Sequence, residues 1–131
     1  MAVWKDGQLA FSKGYGSANL EYDIPVTPDE TIFHVASVSK QFTVYAIMLL
    51  EAEGKLSLDD DVRLHIPELH DFGPSITLAN LMHHTSGLRG TYPDLLMLGG
   101  WRFTDHITQA DCLRLILDQR ELSFEPGSEH L

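Results

Sequence analysis

The sequence predicts an α+β fold, on three observations. Its β-prone runs are gathered near the start, helical patterns dominate the rest of the chain, and no strand–helix units alternate as a doubly wound sheet requires. The chain has 131 residues, of which 44% are hydrophobic and 21% charged. That is ordinary globular composition, and a chain of this length can bury roughly 65–70% of the surface its unfolded form exposes.

The first elements are strands. Ala2–Trp4 and Leu9–Phe11 are short β-prone runs flanking Lys5-Asp6-Gly7-Gln8. Asp-Gly between such runs marks a hairpin, because both residues tolerate positive φ. Gly14-Tyr15-Gly16 then breaks the second strand, and 19–26 reads as an extended loop ending at Pro25. Thr27-Pro28-Asp29-Glu30 has the cap, the proline and the acid of a helix start. It makes only a short turn, since Thr31 to Val35 is β-prone. Ser37 to Glu53 is the strongest helix, stopped by Gly54. Phe42, Val44, Tyr45, Ile47, Met48, Leu49 and Leu50 are too many for one stripe, so this helix is expected to be buried on nearly all sides.

Lys55 to Asp61 reads as a turn, and Asp59-Asp60-Asp61 can cap a short helix running towards His65 and ended by Pro67. Thr77 caps a helix from Leu78 to about His83, and Thr85-Ser86-Gly87 ends it. The stretch 92–101 is ambiguous, with Gly99-Gly100 as a break. Thr108-Gln109-Ala110-Asp111 opens a helix to about Gln119, and Phe124 to Ser128 is a turn.

Charge narrows the partners. The formal net charge is −10, and the nine Lys and Arg residues are scattered singly. Nucleic acid and anionic membranes need clustered cations, so neither is expected. Cys112 is the one cysteine, so no internal disulfide can form; its neighbours Leu113, Leu115 and Ile116 suggest a small core residue. No apolar run reaches the ~20 residues of a membrane span. Met1 to Asp6 does not resemble a signal peptide.

Chemistry concentrates at Ser37-Val38-Ser39-Lys40, a Ser-x-x-Lys at a helix start. Residues three apart share a helix face. A hydroxyl becomes a competent nucleophile when a base takes its proton, and an amine serves as that base when desolvation weakens its hold on its own proton. The positive end of the helix favours a developing oxyanion beside the serine. One segment can therefore supply nucleophile, base and one oxyanion-hole N–H. Four residues alone are also what a capping serine and a solvated lysine look like. Ser39 points elsewhere around the helix, and no Gly-x-Ser-x-Gly elbow occurs. His83-His84 lacks a His-Glu-x-x-His pattern, so no metal is expected. His34, His65, His70 and His106 read as dispersed surface or loop residues.

The stretch Phe33-His34-Val35-Ala36-Ser37-Val38-Ser39-Lys40-Gln41-Phe42-Thr43 resembles the active-site helix of the serine β-lactamase and penicillin-binding-protein family, closest to its class C, DD-peptidase and esterase branch. The opening hairpin with Gly14-Tyr15-Gly16, the segment Glu53 to Asp60, the run Ile76 to Leu88 and the turn Phe124 to Ser128 resemble further family signatures, in order. The resemblance implies a β-lactamase/transpeptidase-like fold, present in part. It implies one partial domain over 1–131, with the hairpin at 1–16, the active-site helix at 37–53 and a mostly helical region at 54–131. It implies Ser37 as nucleophile and Lys40 as its partner, no cofactor, and a small-molecule or peptide substrate: a β-lactam, a D-Ala-D-Ala peptide or an ester. Periplasmic, secreted or membrane-anchored localisation is what the family suggests.

The family's Tyr-x-Asn motif and its Lys-Thr-Gly or His-x-Gly motif do not occur in these residues. Tyr15, Tyr22, Tyr45 and Tyr92 therefore take no catalytic role. The chain reads as truncated at both ends, and as it stands it is expected to be inactive, or to be a binding remnant of the family. A hairpin cut from a larger sheet leaves an open edge, so self-association and poor stability are expected too.

Overall fold

The computed structural model describes residues 1–90, 98–102 and 104–130; the ambiguous reading at 92–97 lies outside them. It divides into two units, Met1–Ser39 and Lys40–Leu131.

The first unit opens with the expected hairpin, β1 (Ala2–Lys5) antiparallel to β2 (Gln8–Ser12). Lys5 pairs with Gln8, which leaves Asp6 and Gly7 as a two-residue loop at φ 49° and 73°. Positive φ at both positions matches the right-handed strand twist. A bulge between Val3 and Trp4 shifts the register. The loop expected over 19–26 is instead a second hairpin, β3 (Ser17–Asn19) with β4 (Ile24–Pro25). Polar contacts build it where periodicity gave no signal. Asn19 Oδ1 accepts the Tyr22 N–H at 2.9 Å, Ser17 Oγ lies within 2.8 and 3.0 Å of the Asn19 and Ile24 carbonyls, and Asp23 takes φ 51°. The Val26 carbonyl oxygen lies where a Cβ on Gly14 would stand, so only glycine fits there.

Thr27 starts a turn as expected, with Thr31 N–H donating to its carbonyl at 3.1 Å. Thr31 to Val35 forms no strand, although its residues favour one. Ile32 is 95% exposed: β-branched residues favour a strand where a neighbour half-buries them, and no described residue does so for Ile32. The unit ends in a 3₁₀ turn, Ala36–Ser39.

The second unit opens with α1 (Lys40–Ala52). Its end is a Schellman motif: Lys55 N–H donates to Leu50, Gly54 N–H donates to Glu51, and Gly54 sits at φ 67°. None of its side chains is fully buried. Val44, Ile47, Leu50 and Glu51 are half-buried on one face, while Phe42 is 70% exposed. The expectation of a helix buried all round is therefore corrected. Burial needs cover on every side, and the described residues cover one stripe.

The core lies after α1. Asp61 caps a 3₁₀ turn, Val62–Leu64, through its side chain. An isolated bridge joins Asp61 to Thr77, with Val62 N–H donating to Ile76 at 2.8 Å. Val62, Leu69 and Ile76 are buried together, and Ile66, Phe72, Leu78, Leu88, Ile116, Leu117 and Leu122 pack round them. Helices α2 (Leu78–Met82) and α3 (Gln109–Leu117) start where expected, each under a threonine capping box. Cys112 is half-buried rather than a core residue.

Candidate active site

Ser37 stands in the 3₁₀ turn that closes the first unit, and its residue is exposed. The backbone before it is unusual, because Ala36 takes φ 44° without being glycine. An L-residue in that region costs roughly 1–2 kcal/mol. Such outliers gather at functional sites, where surrounding structure holds them. The Val38 N–H donates to the Val35 carbonyl at 3.0 Å and closes the turn. Lys40 is the first residue of α1 in the second unit.

Within the second unit, Lys40 borders a groove of about 470 Å³. Gln41, Thr43, Val44 and Ile47 of α1 form one wall and Leu78, Leu81 and Met82 of α2 the other. The lining is mostly apolar.

The signature stretch 83–88 is a packing corner. His84 takes φ 57° and Gly87 φ 74°. The Phe124 carbonyl oxygen occupies the place a Gly87 Cβ would need. Ser123 N–H donates to the Gly87 carbonyl at 2.7 Å, and Gly127 N–H to the Thr85 carbonyl at 2.8 Å. The corner thus holds a turn that lies about forty residues later in the sequence. Among the described residues no three His, Cys, Asp or Glu side chains gather as a metal site would require.

Two polar residues escaped the reading of the sequence. Gln119 is 8% exposed, and its amide grips the Arg89 backbone both ways. Oε1 accepts the Arg89 N–H and Nε2 donates to the Arg89 carbonyl, each at 3.0 Å. Asn80 completes the α2 capping box and also reaches Thr85. A glutamine at a helix end and an asparagine inside one carry no pattern of their own; the partners are distant in sequence or already used by the cap.

Within the second unit, charged side chains gather around Asp61. Asp61 accepts from Arg63 Nε and Nη2 at 3.0 Å each, from the Arg63 N–H at 2.9 Å and from Ser75 Oγ at 2.8 Å. The Arg63 side chain, first of these, holds the Asp61 carboxyl well below the usual carboxylate range. Arg63 also pairs with Asp71, and His65 Nε2 lies 3.1 Å from Asp60 Oδ2. The Ser57 backbone N–H, before His65, lowers Asp60. This is a structural clasp around Val62, since each charge in it answers a neighbour in the same loop.

The β-lactamase family model matches residues 1–131. This chain belongs to the β-lactamase family. As a member, it is 36% identical over 130 residues to a D-aminopeptidase of Gluconobacter oxydans, covering 99% of itself and 24% of that protein. Its fold matches that of an octameric penicillin-binding protein homologue from Pyrococcus abyssi with TM-score 0.77 and 30% identity, covering 99% of this chain and 30% of the other. A hydrolase with promiscuous acyltransferase activity matches with TM-score 0.73 and 31% identity, over 95% of this chain and 35% of its own. The β-lactamase-family chain therefore spans about a quarter of the D-aminopeptidase's length. Its α+β fold is that of the matching part of the penicillin-binding protein homologue. Among its described residues no helix is long and apolar enough to cross a membrane.

Proposed function

We propose that residues 1–131 are a single partial domain of a serine hydrolase in which Ser37 is the nucleophile and Lys40 takes its proton. The observation that carries this is the Ser37–Lys40 spacing directly after the positive-φ Ala36, in a chain whose whole length matches the family. Ser37 stands near the end of the first unit and Lys40 opens the second, three residues on in the sequence. Ser37 Oγ attacks a carbonyl carbon as its proton passes to Lys40 Nζ. The tetrahedral intermediate expels its leaving group, which takes that proton back. Water then cleaves the acyl-enzyme and restores Ser37. The relatives that carry the substrate class are a D-aminopeptidase and a hydrolase with acyltransferase activity. A β-lactam, a D-Ala-D-Ala peptide or an ester is the proposed substrate, without a cofactor or metal. A periplasmic, secreted or membrane-anchored location suits such substrates.

The test is labelling of the complete protein with a fluorophosphonate or penicillin probe. Wild type should carry the label on Ser37, and Ser37→Ala should carry none. Equal labelling of the two would remove the nucleophile assignment.

A second reading concerns the 131 residues by themselves. They contain neither Tyr-x-Asn nor Lys-Thr-Gly nor His-x-Gly, so we propose that this piece alone binds or packs without turning substrate over. Ser37-dependent hydrolysis of an activated ester by the isolated chain would overturn it.

A further inference from the structure

The capping boxes of α2 and α3 are built alike but end in different residues. In α3, Asp111 Oδ2 accepts the Thr108 N–H at 3.0 Å and the Thr108 hydroxyl at 2.6 Å, while Asp111 N–H donates to Thr108 Oγ1 at 3.2 Å. In α2, Asn80 Oδ1 accepts the Thr77 N–H and hydroxyl at 3.0 Å each, and Asn80 N–H donates to Thr77 Oγ1 at 3.1 Å. A carboxylate therefore suffices for the cap, and the Asn80 amide nitrogen is surplus to it. A backbone N–H can only donate, so the Asn80 oxygen must face Thr77 and Nδ2 must face the other way. There it donates to Thr85 Oγ1 at 3.2 Å.

Thr85 is the point at which the corner meets the later turn. Its N–H donates to the Asn80 carbonyl at 2.8 Å, and its own carbonyl accepts the Gly127 N–H at 2.8 Å. The Asn80 amide nitrogen lies 4.0 Å from where a Cβ on Gly127 would stand, so the turn rests beside it. The His84 and His130 rings meet at 5.8 Å. Ser123, Gly127 and His130 thus engage Gly87, Thr85 and His84 in reverse order along one rail.

We infer that Asn80 is a positioning residue: through Thr85 it sets where residues 123–130 dock on the corner 84–87. The capping role serves α2 alone; the amide serves a segment more than forty residues away. This goes beyond the hydrolase reading and needs no chemistry at Ser37.

Amide hydrogen exchange on the complete protein that contains these residues tests it. Thr85→Val removes the acceptor of Nδ2 and leaves every member of the capping box in place. The Gly127 and Ser123 amides should exchange roughly 5–10-fold faster, the weight of one neutral hydrogen bond. The Leu81 and His83 amides of α2 should not change. Thr85→Ser, which restores the hydroxyl, should return Gly127 to the wild-type rate. Unchanged Gly127 exchange in Thr85→Val would overturn the inference. So would equal acceleration in α2, failure of Thr85→Ser to rescue, or unprotected Gly127 and Ser123 amides in the wild type. Labelling of Ser37 plays no part in the readout, so this inference and the hydrolase reading fail separately.

Discussion

At Gly87 both the backbone conformation and the packing demand glycine. It is buried, it takes φ 74°, and the Phe124 carbonyl fills the space beside it. Gly87→Ala should lose about 1–2 kcal/mol from the left-handed backbone alone, with displacement of Phe124 added. Urea unfolding of the complete protein and its Gly87→Ala variant should show that loss as a lower midpoint. Asp61 is decided by charge instead. Its folded carboxyl titrates below its unfolded one because of Arg63. The stability it contributes is full above the unfolded value of about 4, and is lost as pH falls from there through the folded value. Asp61→Asn should flatten the acid limb of a stability–pH curve between about pH 5 and pH 2, and should leave the change from pH 6 to pH 8 as in wild type. An acid limb of unaltered slope would place the acid sensitivity elsewhere.

At the scale of elements, the helices depend on their caps to different degrees. Helix α2 has five residues, too short to persist on propensity. Thr77 satisfies its first turn, and Thr108 does the same for the nine-residue α3. Each Thr→Ala should cost about 1 kcal/mol. The loss at Thr77 should spread further, because the bridge from Asp61 to Thr77 ties α2 to the buried Val62. Hydrogen exchange should accelerate at Val62 and Ile66 in Thr77→Ala, and only within α3 in Thr108→Ala. The hairpin β1–β2 stands on its turn. Asp6 and Gly7 both need positive φ, so Gly7→Val should disorder the pairing of Lys5 with Gln8.

For the molecule as a whole, the buried hydrophobic residues among those described are Val62, Leu69 and Ile76. Against them stand exposed side chains at Trp4, Phe11, Phe33, Phe42 and Tyr45. Exposed apolar groups of this size mark surfaces that bind other protein. Among the described residues each strand of the hairpin pairs with the other alone, which leaves its outer edge open. The isolated chain should bind a hydrophobic dye, unfold without a sharp transition, and sediment with a concentration-dependent mass. A cooperative melt of a monomer that ignores the dye would contradict all three.

Local chemistry was legible without coordinates. Asp6-Gly7 marked the first turn, Thr77 and Thr108 marked the starts of α2 and α3, and Gly54 marked the end of α1, because each effect acts within four residues. The ordered family signatures, matched over residues 1–131, made the fold legible too. Ser37 and Lys40 stood out by their spacing at a helix start. What the sequence could not determine acts across distance. The second hairpin depends on Ser17 reaching Ile24, and the clasp on Ser75 reaching Asp61. Thr31 to Val35 has strand propensity but no strand beside it among the described residues, and α1 has apolar residues all round and cover along one face among those residues. Burial and pairing are properties of neighbours brought together by folding, so only the tertiary structure could decide them.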